Sequence, residues 1–144
     1  MIETCITHRI PFHDLDLMTV VWHGHYFKYF ELARTALMQK LDLDWPACKA
    51  LGYAMPVVEI NAEYRLPLRY DEEIRVRAFT DAPMLPALII HYEITSADGK
   101  TTHATGMTKQ VYVSIQSLRL SFSVPEAISE RLGKSLIALT GVKD

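Results

Sequence analysis

The amino-acid sequence predicts an α+β fold in which one long helix is covered by an antiparallel sheet. The helix is predicted over residues 25–41, where apolar side chains recur at helical spacing. From residue 55 onward the apolar residues occupy every second position, which is typical of half-buried strands. These strands follow one another with short connections, so the order favours α+β over an alternating α/β arrangement. We therefore expect the sheet to wrap around the helix.

The predicted helix has an apolar side and a polar side. The apolar side consists of Tyr26, Tyr29, Phe30, Ala33, Leu37 and Leu41. The polar side consists of Lys28, Glu31, Thr35 and Gln39. A helix of this length spans about 25 Å at about 1.5 Å per residue. Pro46 predicts a break soon after its end.

Strands are predicted on both sides of the helix in the sequence. The first covers residues 4–11, and the others cover residues 58–66, 73–78, 88–94 and 101–114. The Asp98-Gly99 pair predicts the turn of a hairpin before the last strand. A short helix is predicted over residues 125–132 because a proline suits the first position of a helix.

The composition indicates one ordinary globular domain over residues 1–144. The formal charge of −2 and the lack of a basic run argue against a nucleic-acid-binding protein, whose affinity depends on neutralising phosphates. The two cysteines, Cys5 and Cys48, make neither a disulfide framework nor a metal-binding pair. The first residues resemble neither a signal peptide nor a membrane span. We expect a cytoplasmic protein with reduced thiols.

The densest functional signal lies in residues 12–34. Two carboxylates and three histidines precede or open the predicted helix: His13, Asp14, Asp16, His23 and His25. A carboxylate against the apolar residues 17–22 would be partly desolvated, which makes it a better base. The backbone N–H groups at a helix start are open donors that can stabilise an oxyanion. The parts needed for acyl transfer are therefore close together.

This segment resembles a known enzyme family. The residues that carry the resemblance are Asp16-x-x-x-Val20-Val21-Trp22-His23-x-x-Tyr26 followed by Tyr29-Phe30-Glu31-x-Ala33-Arg34. They resemble the 4-hydroxybenzoyl-CoA thioesterase family, and within it the bacterial acyl-CoA thioesterases associated with the Tol-Pal envelope system. The similarity extends over about residues 8–130 and includes Glu63-Tyr64, Pro67, Asp71-Glu72 and Val124-Pro125-Glu126.

The resemblance implies a hotdog fold that forms homodimers or homotetramers, with active sites at the subunit interface. It implies hydrolysis of an acyl thioester, carried on coenzyme A or on an acyl carrier protein, without a metal or bound cofactor. Asp16 matches the catalytic carboxylate, as nucleophile or general base. His23 matches a histidine important for activity, and its backbone N–H matches the group that polarises the thioester carbonyl.

Two positions depart from the family pattern. Thr19 stands where the family usually has glycine, so the loop is expected to adopt unusual dihedral angles less readily. Phe12 stands where the Tol-Pal-type members often have tyrosine, so that hydroxyl is absent. Both departures leave Asp16 and His23 unchanged, so they affect the expected substrate more than the expected reaction.

Other readings of the same residues compete with catalysis. Asp16 alone could be a turn or capping residue, and we expect Asp14 to be a hydrogen-bonding loop residue. A metal site is disfavoured because His23 and His25, at the start of a helix, point in different directions. A hotdog dehydratase would use Glu31, for which local pairing with Arg34 is the more ordinary role. A non-catalytic acyl-binding protein would retain the same fold.

The sequence offers four basic residues that could meet the phosphates of coenzyme A. They are Arg65, Arg69, Lys100 and Lys109. Charged side chains on strands usually form a solvated face, so none of the four is singled out.

Overall fold

The computed structural model describes residues 1–81 and 86–140, with side chains up to residue 133. Within these ranges the helices are α1 (His25–Lys40), α2 (Trp45–Leu51) and α3 (Glu126–Thr140). The strands are β1 (Ile2–Arg9), β2 (Tyr53–Ala54), β3 (Val57–Tyr64), β4 (Glu73–Thr80), β5 (Ala87–Ser96), β6 (Thr102–Val111) and β7 (Val113–Ser114). A single 3₁₀ turn, Phe12–Asp14, lies between β1 and α1.

The longer strands form one five-stranded sheet in the order β1-β4-β5-β6-β3. Every neighbouring pair in it is antiparallel, which confirms the predicted α+β arrangement. The two-residue strands β2 and β7 pair with each other in a separate small sheet. The predicted hairpin turn joins β5 to β6, and Gly99 adopts the left-handed φ of 75° that this turn requires.

Helix α1 packs mainly against β1, β4 and β5 and provides much of the core. All six side chains predicted for its apolar side are buried: Tyr26, Tyr29, Phe30, Ala33, Leu37 and Leu41. The ring of Phe30 stacks on Tyr92 of β5, with ring centroids 4.7 Å apart. Gly106 of β6 leaves room for that ring, because a Cβ atom at this position would overlap it. The helix therefore lies close to the sheet.

Strand β3 is more exposed than its sequence pattern predicted. Its alternating pattern predicted a half-buried strand, yet Val58, Ile60 and Tyr64 are between 42% and 56% exposed. The reason is its position at the edge of the sheet, beyond the strands against which α1 mainly packs. One backbone edge and several apolar side chains of β3 consequently face outward.

The element boundaries also differ from the prediction in places. Helix α2 was missed because Pro46 was interpreted as a break, whereas it lies in the first turn of that helix. The side chain of Asp44 caps α2 by accepting a hydrogen bond from the N–H of Ala47. The strand predicted over residues 101–114 divides at residue 112 into β6 and β7, and the final helix is longer than predicted.

Candidate active site

Asp16 lies in a tight loop between the 3₁₀ turn and α1. Its N–H donates to the carbonyl of Val20, and its own carbonyl accepts from the N–H of Thr19. Leu15 and Val21 pair as an isolated antiparallel bridge below this turn. The carboxylate is half-buried, and its Oδ1 accepts the N–H of Met18 at 2.8 Å. Asp16 therefore also stabilises the turn, which is the alternative role that its residue type suggested.

Thr19 adopts a left-handed backbone conformation, with φ of 63°. The loop thus reaches an unusual dihedral angle although threonine replaces the family's glycine. A turn followed by one left-handed residue is a common way to close a short hairpin. A β-branched residue is strained there, because its Cβ crowds the backbone.

We expect Thr19→Gly to raise the free energy of unfolding by up to about 1 kcal/mol, since the relief of strain exceeds the entropic penalty of glycine. Urea unfolding followed by circular dichroism measures the change. Thr7→Gly is the matched control, because Thr7 lies within β1 and there the same replacement should destabilise the protein. Equal losses in both variants would contradict a strained Thr19.

Asp14 anchors this loop to α1 from inside the protein. Its side chain is fully buried, and its two carboxylate oxygens accept hydrogen bonds from Lys28 Nζ and Tyr29 Oη, each at 2.6 Å. Its backbone carbonyl accepts the N–H of Trp22. The expectation that Asp14 is a hydrogen-bonding loop residue is confirmed.

The surroundings of Asp14 favour its ionised form. Burial alone would raise its pKa, but the hydrogen bonds from Lys28 and Tyr29 and the nearby positive charge outweigh it, so the pKa of Asp14 is lowered. For Tyr29, burial and the hydrogen bond to Asp14 raise the pKa far above its usual range. The hydrogen-bonded pair of Asp14 and Tyr29 therefore carries one negative charge, which lies on Asp14.

The start of α1 presents open backbone donors. Gly24 is the N-cap residue, and no side chain caps the helix there. The N–H groups of His25 and Tyr26 donate to Trp22 and His23. Within the described ranges, no acceptor is found for the N–H groups of His23 and Gly24. Such donors at the positive end of a helix dipole can stabilise an oxyanion.

Gly24 permits an aromatic side chain to lie over this helix start. A Cβ atom at residue 24 would overlap the ring of Trp22. That ring also lies next to His23 and His25, at centroid distances of 5.2 Å and 5.3 Å. Trp22 is about half exposed, so it shields one side of the open N–H groups from solvent.

Asp16 and His23 line the same cleft, which has a volume of about 320 Å³. Its other lining residues are Met18, Val20, Val21, Tyr26, Tyr64, Arg65, Leu66 and Pro67. The wall formed by residues 65–67 is held in place because Val21 donates its N–H to Leu68, and Val20 bridges to Arg69. Tertiary structure thus joins the loop before α1 to the segment after β3.

The apolar stretch next to Asp16 is only partly packed against it. Val20 and Val21 line the cleft beside the carboxylate. Leu17, in contrast, is fully exposed and Met18 is largely exposed. Phe12, which stands in place of the family's tyrosine, is also exposed and contacts the ring of Tyr70 edge-on at 6.0 Å.

The other two histidines of residues 12–34, His13 and His25, lie near Asp14 and do not line the cleft. The Nε2 atoms of His13 and His25 are 3.7 Å and 3.9 Å from Asp14 Oδ1. The ammonium group of Lys28 already contacts the same oxygen, where a metal ion would have to bind. Among the side chains described, those of residues 1–81 and 86–133, no group of three or more potential ligands converges as a metal site.

Glu31 does not reach the cleft. Both its hydrogen bonds go to Arg34, three residues later on α1, the shorter at 2.8 Å. The local pairing predicted for these residues is confirmed. The arrangement gives no support to Glu31 as the second acid of a dehydratase.

Among the four basic residues considered for phosphate contacts, Arg65 lines the cleft. Arg69 lies beside it through its backbone bridge to Val20. Lys100 follows the β5–β6 turn, and Lys109 pairs with Glu59 and Ile89 within the sheet. Sequence reasoning did not identify Tyr64, whose hydroxyl donates to the carbonyl of His23 at 2.7 Å. In the sequence, Tyr64 was noted only as part of the Glu63-Tyr64 pair that contributes to the family resemblance.

Comparison with known protein families shows which superfamily the chain matches. Residues 10–132 match the Thioesterase-like superfamily. The chain belongs to this superfamily. The match contains the whole segment from Phe12 to Arg34, so the family expected from those residues is confirmed.

Individual relatives are more distant. The Bacillus subtilis protein YneP is 32% identical over 73 residues, which cover 51% of this chain and 53% of YneP. The chain therefore spans about half the length of this curated relative. The Escherichia coli acyl-CoA thioester hydrolase YbgC is 26% identical over 90 residues, which cover 62% of this chain and 67% of YbgC. The Tol-Pal association stays a prediction.

A solved structure supports the architecture over the full length. The DHNA-CoA thioesterase of Staphylococcus aureus superposes with a TM-score of 0.81, covering 100% of this chain and 98% of the other at 22% identity. The hotdog fold expected from the resemblance is confirmed. None of the helices in the described part of the chain is both long and apolar enough to cross a bilayer.

Proposed function

We propose that this protein hydrolyses an acyl thioester to a free acid and a thiol. One observation carries the proposal: the carboxylate of Asp16 and the uncapped start of α1 border the same cleft. A carboxylate supplies a nucleophile or a general base, and open backbone N–H groups supply the charge stabilisation that acyl transfer needs.

As a general base, Asp16 takes a proton from a water molecule while that water attacks the thioester carbonyl carbon. The carbonyl oxygen becomes an oxyanion, which the N–H groups of His23 and Gly24 stabilise. The carbon–sulfur bond then breaks, and the thiolate leaves and is protonated. As a nucleophile, Asp16 instead forms an acyl–carboxylate anhydride, which water hydrolyses to the same two products.

The imidazole of His23 is assigned to proton transfer or to orienting the attacking water. It lines the cleft together with Asp16, and histidine exchanges protons near neutral pH. The side chain is exposed, so protons can be exchanged with solvent. We assign Asp14 no part in the chemistry, because its oxygens are engaged by Lys28 and Tyr29.

The substrate is assigned to acyl groups carried on coenzyme A or on an acyl carrier protein. In both carriers the thioester is at one end of a long pantetheine arm and a phosphate is at the other end. Arg65, an exposed residue of the cleft lining, has a guanidinium group suited to that phosphate. The exposed apolar residues that follow Asp16 in the sequence, Leu17 and Met18, suit an acyl chain or ring. The name of YbgC, an acyl-CoA thioester hydrolase, agrees with the coenzyme A form.

The first experiment is a thiol-release assay with short, long and aromatic acyl-CoA substrates. We expect turnover of at least one class, followed by reaction of the released thiol with a chromogenic disulfide. The same acyl groups on an acyl carrier protein, and hydration of an enoyl thioester, are measured in parallel. Hydration without hydrolysis would favour a dehydratase, and binding without either reaction would favour a non-catalytic acyl-binding protein.

We further assign residues 1–144 to a single cytoplasmic domain that forms a homodimer or homotetramer. The outward-facing edge of β3, with Val58 and Ile60 exposed, supports association, because an exposed apolar edge strand favours pairing with another chain. Cys5 and Cys48 are both unbridged, as in a reducing compartment. Sedimentation velocity distinguishes the dimer from the tetramer.

A further inference from the structure

We propose that Tyr64 is a positioning residue that orients and polarises the backbone at the start of α1, where the oxyanion is stabilised. This role rests on the proposed function. Tyr64 is the last residue of β3, far from α1 in the sequence. Its hydroxyl nevertheless donates to the carbonyl oxygen of His23 at 2.7 Å, a short and therefore well-formed hydrogen bond.

The peptide unit between His23 and Gly24 explains why this bond matters. The carbonyl of His23 and the N–H of Gly24 belong to one planar trans unit and point in opposite directions. A donor that holds the carbonyl therefore also sets the direction of the N–H. Hydrogen bonds in a chain strengthen each other, so accepting from Tyr64 makes the N–H of Gly24 a better donor.

No regular helix bond performs this task at the same strength. The other donor to the His23 carbonyl is the N–H of Tyr26, at 3.4 Å, which is long for a hydrogen bond. Gly24 itself has no side chain to restrain its peptide, and no side chain caps α1. Glycine is conformationally permissive, so the orientation of this unit depends on what holds its carbonyl.

Aromatic contacts hold the ring of Tyr64 in place. It meets the buried Tyr26 edge-on, with ring centroids 4.8 Å apart, and the imidazole of His23 at 6.3 Å. The ring is about half exposed and lines the same cleft as Asp16. Packing of the ring thus directs the hydroxyl at the helix start.

Tyr64→Phe tests the role, because it removes the hydroxyl and keeps the ring. We expect kcat to fall about five- to tenfold, the rate equivalent of weakening one hydrogen bond in the transition state. KM should change little, because the ring that lines the cleft is retained. The melting temperature should fall only by the amount that one exposed hydrogen bond contributes. A purely structural role would lower the melting temperature and leave kcat per folded molecule unchanged. Tyr53→Phe, in β2 and outside the cleft, is the matched control and should retain wild-type kinetics.

A second measurement does not depend on activity. In Tyr64→Phe, the NMR resonances of the His23 carbonyl carbon and the Gly24 amide should move, whereas Tyr53→Phe should leave them in place. Unmoved resonances would show that the bond does not form in solution and would overturn the proposal. Moved resonances with an unchanged kcat would also overturn it. Lack of wild-type turnover on every thioester would instead refute the proposed function, and the positioning role with it.

Discussion

Replacing Asp16 with Asn should abolish thioester hydrolysis without unfolding the protein. The amide can still accept the N–H of Met18, so the turn is retained. It can neither take a proton from water nor attack the carbonyl carbon. We expect kcat to fall at least about 100-fold, the lower end of what a positioned acid–base group contributes. The assay is thiol release from the acyl-CoA that the wild-type protein turns over fastest.

Asp98 offers a matched control for this substitution. Its Oδ1 accepts the N–H of Lys100 at 3.0 Å, the same two-residue spacing as between Asp16 and Met18. It lies in the β5–β6 turn, which is not part of the cleft. Asp98→Asn should therefore retain wild-type turnover. Equal activity of Asp16→Asn and the wild-type protein would contradict a catalytic Asp16 and leave it a turn residue.

Replacing Asp14 with Ala should lower the free energy of unfolding by about 2 to 4 kcal/mol. The change leaves the buried hydroxyl of Tyr29 without its acceptor and removes the partner of the Lys28 ammonium. Chemical unfolding in urea measures the loss. Asp81→Ala is the control, because Asp81 is largely exposed and its replacement should change stability by less than about 0.5 kcal/mol.

A second substitution tests whether the loss of stability comes from the Tyr29 hydroxyl, which lacks its acceptor, or from a general loss of packing. Tyr29→Phe, added to Asp14→Ala, removes the hydroxyl that would lack an acceptor. The double variant should therefore recover part of the lost stability, because replacing both partners of a buried hydrogen bond is less harmful than replacing one. A double variant less stable than Asp14→Ala alone would show that the hydroxyl is not the source of the loss.

The stability that Asp14 contributes should also depend on pH. The pKa of Asp14 is lowered in the folded protein. The stability that its charge contributes is therefore fully present above the ordinary carboxyl pKa, and it is lost as the pH falls through the lowered value. The stability difference between the wild-type protein and Asp14→Asn should narrow as the pH falls from about 5 to about 3. A difference that stays constant over this range would contradict an ionised Asp14 in the folded state.

The sequence by itself determined the fold class and the helix at the centre of the site. The apolar positions of α1 repeat strictly enough that all six predicted core residues are buried. The Asp98-Gly99 turn is equally local, because glycine suits a left-handed residue. Asp16, His23 and the N-cap residue Gly24 could be named as candidates because they lie within nine consecutive positions of one segment.

The tertiary structure decided which surroundings each of those residues has. Asp14 and Asp16 are only two positions apart, and their residue type alone does not distinguish them. Asp14 is buried because the first turns of α1 bring Lys28 and Tyr29 to it, whereas Asp16 faces a cleft whose other wall follows β3. Tyr64 reaches the helix start from 41 positions away in the sequence. Such contacts depend on how the helix and sheet pack, and no local pattern encodes them.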